Sequence, residues 1–307
     1  MSFYNFSYQN PSSRTFVSEE WNSALITQLD PLLVWASRLV TNRSYEGDIS
    51  KRGDVVHVNS LARPTVADYR LPEGMTAQRP ETIDQVLPIT EAKYIQLLVE
   101  NVERVQVAGV MGSPINQEMV RALAREADTF MGHVIATGAT PMPNVKVTAG
   151  NAPQALYGAV LDLMLALDAN DIPEGRYVVV SPRVKRYLIE HPAIANAGAY
   201  GEAGVTANGV VARLAGFTVL STTAMPAGAD IVAGHSRFAT FASQLSGFRS
   251  GQSEKYRADY MDAAHFYGGK IVRLPNLDTV KPDRTFDESK PTKGILRVAV
   301  DWPASLI

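Results

Sequence analysis

The sequence predicts an α+β fold from three observations. An amphipathic segment leads into a pair of alternating strands separated by a wide polar tip. A single long helical stripe follows. A later region then strings short strands between helices without any repeat. The strand pair is VVHVNSL, opened by Lys51-Arg52-Gly53-Asp54, and a returning strand near Ile83–Ile89. Its tip runs through Arg63-Pro64-Thr65 and Asp68-Tyr69. Such an arm has almost no core of its own, so another copy of the protein is expected to cover its apolar positions.

Along the chain, residues 1–16 are aromatic and polar without period and read as an extended arm. Residues 18–41 carry Trp21, Leu25, Leu29, Leu32, Leu33, Ala36 and Leu39 at helical spacing, with Ser18 as N-cap and Pro31 as a bend. The hairpin spans 46–92, and YIQLLVENVERVQV reads as a further strand. Ser113-Pro114 is a strong helix start, and Gly138 is a natural stop. Between them Ile115, Met119, Leu123, Phe130 and Val134 form an apolar stripe. Glu118, Arg121, Arg125 and Asp128 fall on other faces, where Arg125 and Asp128 are an i,i+3 pair.

After Thr140–Asn144 and a short strand at Val145–Thr148, a helix over 152–168 carries Leu156, Val160, Leu163 and Leu167. The strand Arg176–Val180 and a helix from Ser181-Pro182 through Ile189 come next. Residues 192–209 are small and aperiodic and read as a surface loop holding Tyr200. Strands are expected near Phe217–Ser221, Asp230–Ala233 and Lys270–Leu274. In the closing GILRVAVDW, Leu296, Val298, Val300 and Trp302 share one face, the period of a half-buried strand. That strand is expected at a sheet edge, of its own subunit or of an adjacent one.

Composition removes several function classes. With 29 Lys+Arg against 31 Asp+Glu, the chain lacks the cationic excess of a protein that wraps nucleic acid, leaving room for weak contact only. It has no cysteine, which excludes disulfides, thiolate catalysis and Cys-based zinc sites. The start, MSFYNFSYQNPSSR, has no apolar core of a secretory signal. The most apolar run, AVLDLMLAL, is broken by Asp162 and is shorter than the ~20 residues of a membrane span.

The search for chemistry is equally sparse. Gly234-His235-Ser236-Arg237-Phe238 lacks the second glycine of a nucleophile elbow and reads as a turn between strands. Histidines 57, 133, 191, 235 and 265 include no i,i+4 pair. Asp168, Asn170 and Asp171 imitate a calcium loop, but Ile172 and Pro173 stand where a ligand and a glycine are needed, so a helix-ending turn is expected. Gly198, Gly201 and Gly204 lack the context of a phosphate cradle. No catalytic, cofactor or metal residue is assigned.

In their order, these features resemble the major capsid protein of a tailed bacteriophage, with the Hong Kong 97-type coat fold. The resemblance runs from about Trp21 to Asn276. Tyr45-Glu-Gly47 and Gly53-Asp54-Val-Val-His-Val58 are similar to the family's N-terminal arm and extended loop, and Ser113–Gly138 to its spine helix. Leu161-Asp162, Asn170-Asp-Ile-Pro173 and Arg176-Tyr-Val-Val-Val-Ser-Pro182 are similar to its axial domain, as are Asn208-Gly209 and Ala215-Gly-Phe-Thr-Val-Leu220. Tyr267-Gly-Gly-Lys-Ile-Val272 resembles the return to the peripheral domain.

The resemblance implies an N-terminal arm and helix (1–45), an extended hairpin loop (46–92), a peripheral domain with the spine helix (93–150) and an axial domain (151–265). A return to the peripheral domain (266–280) and a C-terminal extension outside the family pattern (281–307) complete the chain. It also implies a non-enzymatic coat protein, without cofactor or membrane, that forms pentamers and hexamers of an icosahedral virion shell and is assembled in the host cytoplasm. Scaffolding, portal and decoration proteins are the expected partners, with packaged DNA touched weakly. Interface candidates are Phe16, Trp21, Arg63, Tyr69 and Arg79 toward the N-terminus, Arg121, Arg125 and Asp128 on the spine helix, then Tyr200 and Trp302. The alternatives are a nanocompartment shell enclosing enzymes and, more distantly, an α/β enzyme.

Overall fold

The computed structural model describes residues 33–44, 55–61, 82–100, 112–148, 150–195, 213–252, 258–275, 277–278, 280–281 and 285–303, with single positions at 64, 66, 68, 77 and 79. In chain order the elements are β1 (Val55–Leu61), β2 (Thr82–Pro88), β3 (Glu91–Glu100), α1 (Gly112–Gly138), β4 (Ala139–Pro141) and β5 (Val145–Lys146). Then come α2 (Ala152–Ala169), β6 (Arg176–Val180), α3 (Pro182–Glu190), the single turn α4 (Pro192–Ala195), β7 (Arg213–Leu214) and β8 (Phe217–Ser221). The last are β9 (Ile231–His235), β10 (Ala239–Gln252), β11 (Ala258–Ile271), β12 (Thr292–Val298) and β13 (Val300–Asp301).

β1 and β2 form the expected antiparallel hairpin, from Val55 opposite Pro88 to Leu61 opposite Thr82. Period-2 alternation buries Val56, Val58, Ile83 and Leu87 and exposes His57, Asp84 and Val86. The expectation that another copy covers this arm is corrected at its base. There Val56, Leu87 and Ile89 pack on Ala242 and Phe266 of the same chain. Gly268 permits the approach, because a Cβ there would stand 2.3 Å from the Pro88 carbonyl oxygen.

β3 pairs with β11, and β11 with β10, in a three-stranded antiparallel sheet. The sequence reading expected no strand over 239–265 and grouped that stretch with the axial region. The structure instead joins it to β3. Small and polar residues such as Ser243, Ser246, Gly247 and Gly251 dilute the alternation in β10, so its pairing partners define it better than its own pattern does. The strand expected at Lys270–Leu274 is the end of β11; beyond it the Leu274 N–H turns to Asp278 Oδ2 at 3.0 Å.

α1 crosses this sheet and runs straight into β4, so one helix is continuous with a strand of the second sheet. Its buried stripe is Met119, Val120, Leu123, Ala124, Ala127, Met131, Ile135 and Ala136. Phe130 and Val134, expected in the apolar stripe, are only half-buried at its margin. Asp128, expected on the charged face, points inward and is 4% exposed.

The cause lies in residues 33–44. Asp128 Oδ1 accepts the backbone N–H groups of Val34 (2.9 Å), Trp35 (2.6 Å) and Ala36 (3.1 Å). Those N–H groups are therefore unavailable to carbonyls four residues back, and the described part of the expected 18–41 helix is a series of turns. Residues 18–32 lie outside the described residues. Burial pushes the Asp128 carboxyl above its ordinary pKa, and the three donors offset only part of that. Trp35, fully buried, donates Nε1–H to the Ala224 carbonyl at 2.8 Å.

The second sheet has six strands in the order β4–β12–β9–β6–β8–β7. β6 reads as an unbroken apolar run because it lies between two strands, and Tyr177–Val180 are all buried. α2 buries Leu156, Val160, Leu163 and Leu167 as expected. Ser181 caps α3 by accepting the Val184 N–H at 3.3 Å. Arg176 closes the end of α2, pairing with Asp168 at 2.5 Å and donating to the Ile172 and Pro173 carbonyls, so the calcium-like stretch is the expected helix-ending turn. The tail strand is no edge addition. β12 lies between β9 and β4, antiparallel to one and parallel to the other, inside its own subunit.

Two outcomes follow from these contacts. Asp128→Ala leaves three N–H groups without an acceptor, two of them buried, and at ~1–3 kcal/mol for each buried unsatisfied group should cost at least about 2 kcal/mol. Asp128→Asn keeps an acceptor oxygen and should retain most of the stability. Urea midpoints of the two variants measure the difference, and equal midpoints would contradict the role given to Oδ1. Truncation after Lys290 removes Ile295, Leu296 and Val298, each 3% exposed or less and worth ~1.5–3 kcal/mol of burial. That loss approaches a whole domain's ~5–15 kcal/mol, so truncated subunits should be unfolded by circular dichroism rather than folded and assembly-defective.

Candidate intersubunit surfaces

The arm is anchored to its own subunit by one side-chain amide. Gln85 occupies an inward position between Ile83 and Leu87. It donates Nε2–H to the Arg273 carbonyl (2.8 Å) and to Ser60 Oγ (2.8 Å), and its Oε1 accepts the Arg273 N–H at 2.9 Å. The Arg273 guanidinium in turn donates to the Glu288 (3.2 Å) and Lys290 (2.9 Å) carbonyls of the lead-in to β12. Arm and tail therefore meet at one residue. Neither Gln85 nor Arg273 was singled out by sequence reasoning; the available signal was an amide at a core-facing position of an alternating strand.

Away from that anchor the arm is open. Leu61 is 60% exposed and Val66 96% exposed. Arg79 is exposed as expected of an interface candidate, while Arg63 and Tyr69 lie outside the described residues. A second open surface is the outer face of α1, where Arg121 pairs with Glu118 at 2.6 Å and Arg125 is exposed. The expected Arg125–Asp128 pair does not form, because Asp128 is committed inward, and its burial removes it from the interface candidates. Beside this face Lys93 of β3 reaches Glu126 at 3.4 Å, next to the 76%-exposed Tyr94.

Trp302 is half-buried and already engaged within the subunit. The Arg183 guanidinium lies 3.9 Å over its ring, and Tyr187 stands 5.7 Å away. The candidates Phe16, Trp21 and Tyr200 lie outside the described residues. Of the loop expected over 192–209, the described part is the turn α4.

The elbow-like sequence is occupied structurally. Ser236–Phe238 form a single 3-10 turn between β9 and β10. His235 Nδ1 accepts the Arg237 N–H at 3.1 Å, and Nε2 lies 3.1 Å from the Glu174 carbonyl, so neither ring nitrogen is left to serve Ser236 as a base. His191 stacks on Tyr157 and bonds Gln154, while His57 pairs with Asp84. Among the described residues no group of three or more His, Cys, Asp or Glu could hold a metal ion, and no helix is long and apolar enough to cross a membrane.

Comparisons with known proteins agree on one architecture. A family model described as phage capsid protein matches residues 86–289, more than half of the 307-residue chain. No curated protein matches the sequence. A solved structure from Mycobacterium phage Che8 is 25% identical, covers 87% of this chain and 90% of its own, and superposes with a TM-score of 0.66. The capsid structure of cyanophage P-SCSP1u is 14% identical over 86% of this chain and 87% of its own, with a TM-score of 0.62. The capsid of Ralstonia phage GP4 is 11% identical over 98% and 99%, with a TM-score of 0.58. The similarity runs over most of the chain, and the chain belongs to the phage capsid protein family, with the Hong Kong 97-type fold of a tailed-phage major capsid protein.

Proposed function

We propose that this structural shell protein works by geometry alone, catalysing no reaction, and that its copies meet through the arm and the outer face of α1. The observation that carries this reading is a subunit whose arm base and tail are fixed by internal contacts while the outer arm positions and the outer face of α1 stay open. On this reading, pentamers and hexamers close an icosahedral shell around the genome by repeated contacts, each modest and collectively strong. Assembly takes place in the host cytoplasm with scaffolding, portal and decoration proteins. The chain divides into an N-terminal arm (1–45), a hairpin (46–92), a peripheral unit from 93 to 150 extended by β10 and β11, an axial unit beginning at 151, and a tail built into the axial sheet. Phe16, Trp21, Arg63, Tyr69, Arg79, Arg121, Arg125 and the exposed part of Trp302 belong to contacts between copies, and Tyr200 to the capsomer centre.

Electron microscopy of the expressed protein, alone and with its neighbouring gene products, tests the assembly. Closed shells containing DNA are expected. Shells loaded with protein would favour a nanocompartment, and small soluble oligomers an enzyme. Limited trypsin digestion tests the arm: cleavage after Arg70, which Leu71 follows, should be fast in dissociated subunits and suppressed in shells. Equal rates in both states would remove the arm from the interface.

A further inference from the structure

The base of the arm borders a cleft of about 450 Å³ built by separate stretches of the chain. Leu61 ends β1, residues 169–173 form the turn after α2, and Arg237 and Phe238 lie in the turn after β9. Leu274 and Leu277 follow β11, and Lys293 belongs to β12. Asp278 fixes two of these walls. Its Oδ2 accepts the Leu274 N–H (3.0 Å) and the Thr292 hydroxyl (3.1 Å), and its Oδ1 the Lys293 N–H (3.2 Å). From the turn after α2, Asn170 Nδ2 donates to the Lys293 carbonyl at 3.4 Å.

The lining combines apolar walls with cations. Phe238 and Ile172 are buried, while Leu61 is 60% exposed. Apolar area left in water favours an occupant with apolar side chains of its own. Arg237 and Lys293 are exposed, and neither side chain has an acidic partner among the described residues. Against these two cations the lining holds one carboxylate, that of Asp171. The cleft therefore suits a short segment that is acidic and apolar at once.

The chain carries such a segment. It has two adjacent acidic pairs, Glu19-Glu20 and Asp287-Glu288. The second is spent within the subunit, Asp287 on Ser289 (2.6 Å) and Glu288 on Lys270 (2.7 Å). Glu19-Glu20 stands between Phe16 and Trp21, outside the described residues. We propose that Phe16–Trp21 of an adjacent copy docks in this cleft, with its two carboxylates on Arg237 and Lys293 and its aromatic rings against the apolar walls. The proposal rests on the reading of the chain as a shell subunit, and it gives Phe16 and Trp21 a receptor. Residues 1–32 set Arg14 against Glu19, Glu20 and Asp30, a balance opposite in sign to that of the cleft. The described chain begins at Leu33. From Trp21 to that point it spans ~18 Å as a helix and ~40 Å extended, against a ~20 Å radius of gyration for a compact chain this long. A neighbouring copy is therefore within reach. One cleft and one segment per copy make a head-to-tail contact that closes around a ring with none left over.

The test is a cross-link in the full-length protein, which has no cysteine of its own. Assembled Glu19→Cys/Lys293→Cys chains are mildly oxidised and run on a non-reducing gel. The mixed bond joins copy to copy without limit, so a ladder that reduction collapses is expected. Either single-cysteine variant can give nothing above a dimer. Absence of bands above the dimer in the double variant would overturn the proposal. So would a bond confined to the monomer band, which would mean that each copy's own segment fills the cleft. Charge reversal gives a second readout. Arg237→Glu/Lys293→Glu should raise the concentration needed for assembly about tenfold, and adding Glu19→Lys/Glu20→Lys should restore it. Unchanged assembly in the first variant, or no recovery in the second, would also count against the docking. A ladder in a protein that forms only small oligomers would sink the shell reading and keep this contact, while shells without a ladder would do the reverse.

Discussion

The carboxylate of Asp128 is the point on which the subunit's interior arrangement depends. One oxygen takes three consecutive N–H groups from a segment more than ninety residues earlier in the chain. Because a buried N–H without an acceptor costs more than a made bond gains, the interaction specifies a conformation more than it adds stability. Trp35 can then enter a slot against Gly132, where a Cβ would stand 2.8 Å from the indole nitrogen, and bond to the loop between β8 and β9. The N-terminal segment, the long helix and the six-stranded sheet are joined there.

A second junction, at Arg273, governs the arm and the tail together. Gln85 holds the Arg273 backbone, while the Arg273 side chain holds the carbonyls that lead into β12. The tail strand is therefore part of the scaffold from which the arm projects. Among the described residues, the outer face of α1, the outer positions of the arm and the edge of β3 are open. A shell needs this division, since its contacts between copies must be repeatable and individually reversible while the subunit stays intact.

The chemistry is consistent with that division. His235, His191 and His57 all have partners, and the serine beside His235 sits in a turn without a base. Exposed charge lies on the outer face of α1, where Glu118, Arg121 and Arg125 sit.

Elements whose signal is local were legible in the sequence. The β1/β2 hairpin alternates, α2 carries Leu156, Val160, Leu163 and Leu167 on one stripe, Ser181-Pro182 starts α3, and β6 is a short apolar run; each follows from side-chain spacing or cap chemistry within a few residues. The order of these elements also carried the family resemblance. What the sequence left open depended on partners far along the chain. The turns at 33–44 replace a helix because a distant carboxylate takes their N–H groups. β10 becomes a strand despite its small and polar residues because β11 pairs with it. β12 is an interior strand because β9 and β4 flank it. The charge of Asp128 and the apolarity of β12 are written in the residues themselves, but whether a charged residue turns inward or an apolar strand becomes central is set by which unpaired backbone groups the fold brings to it.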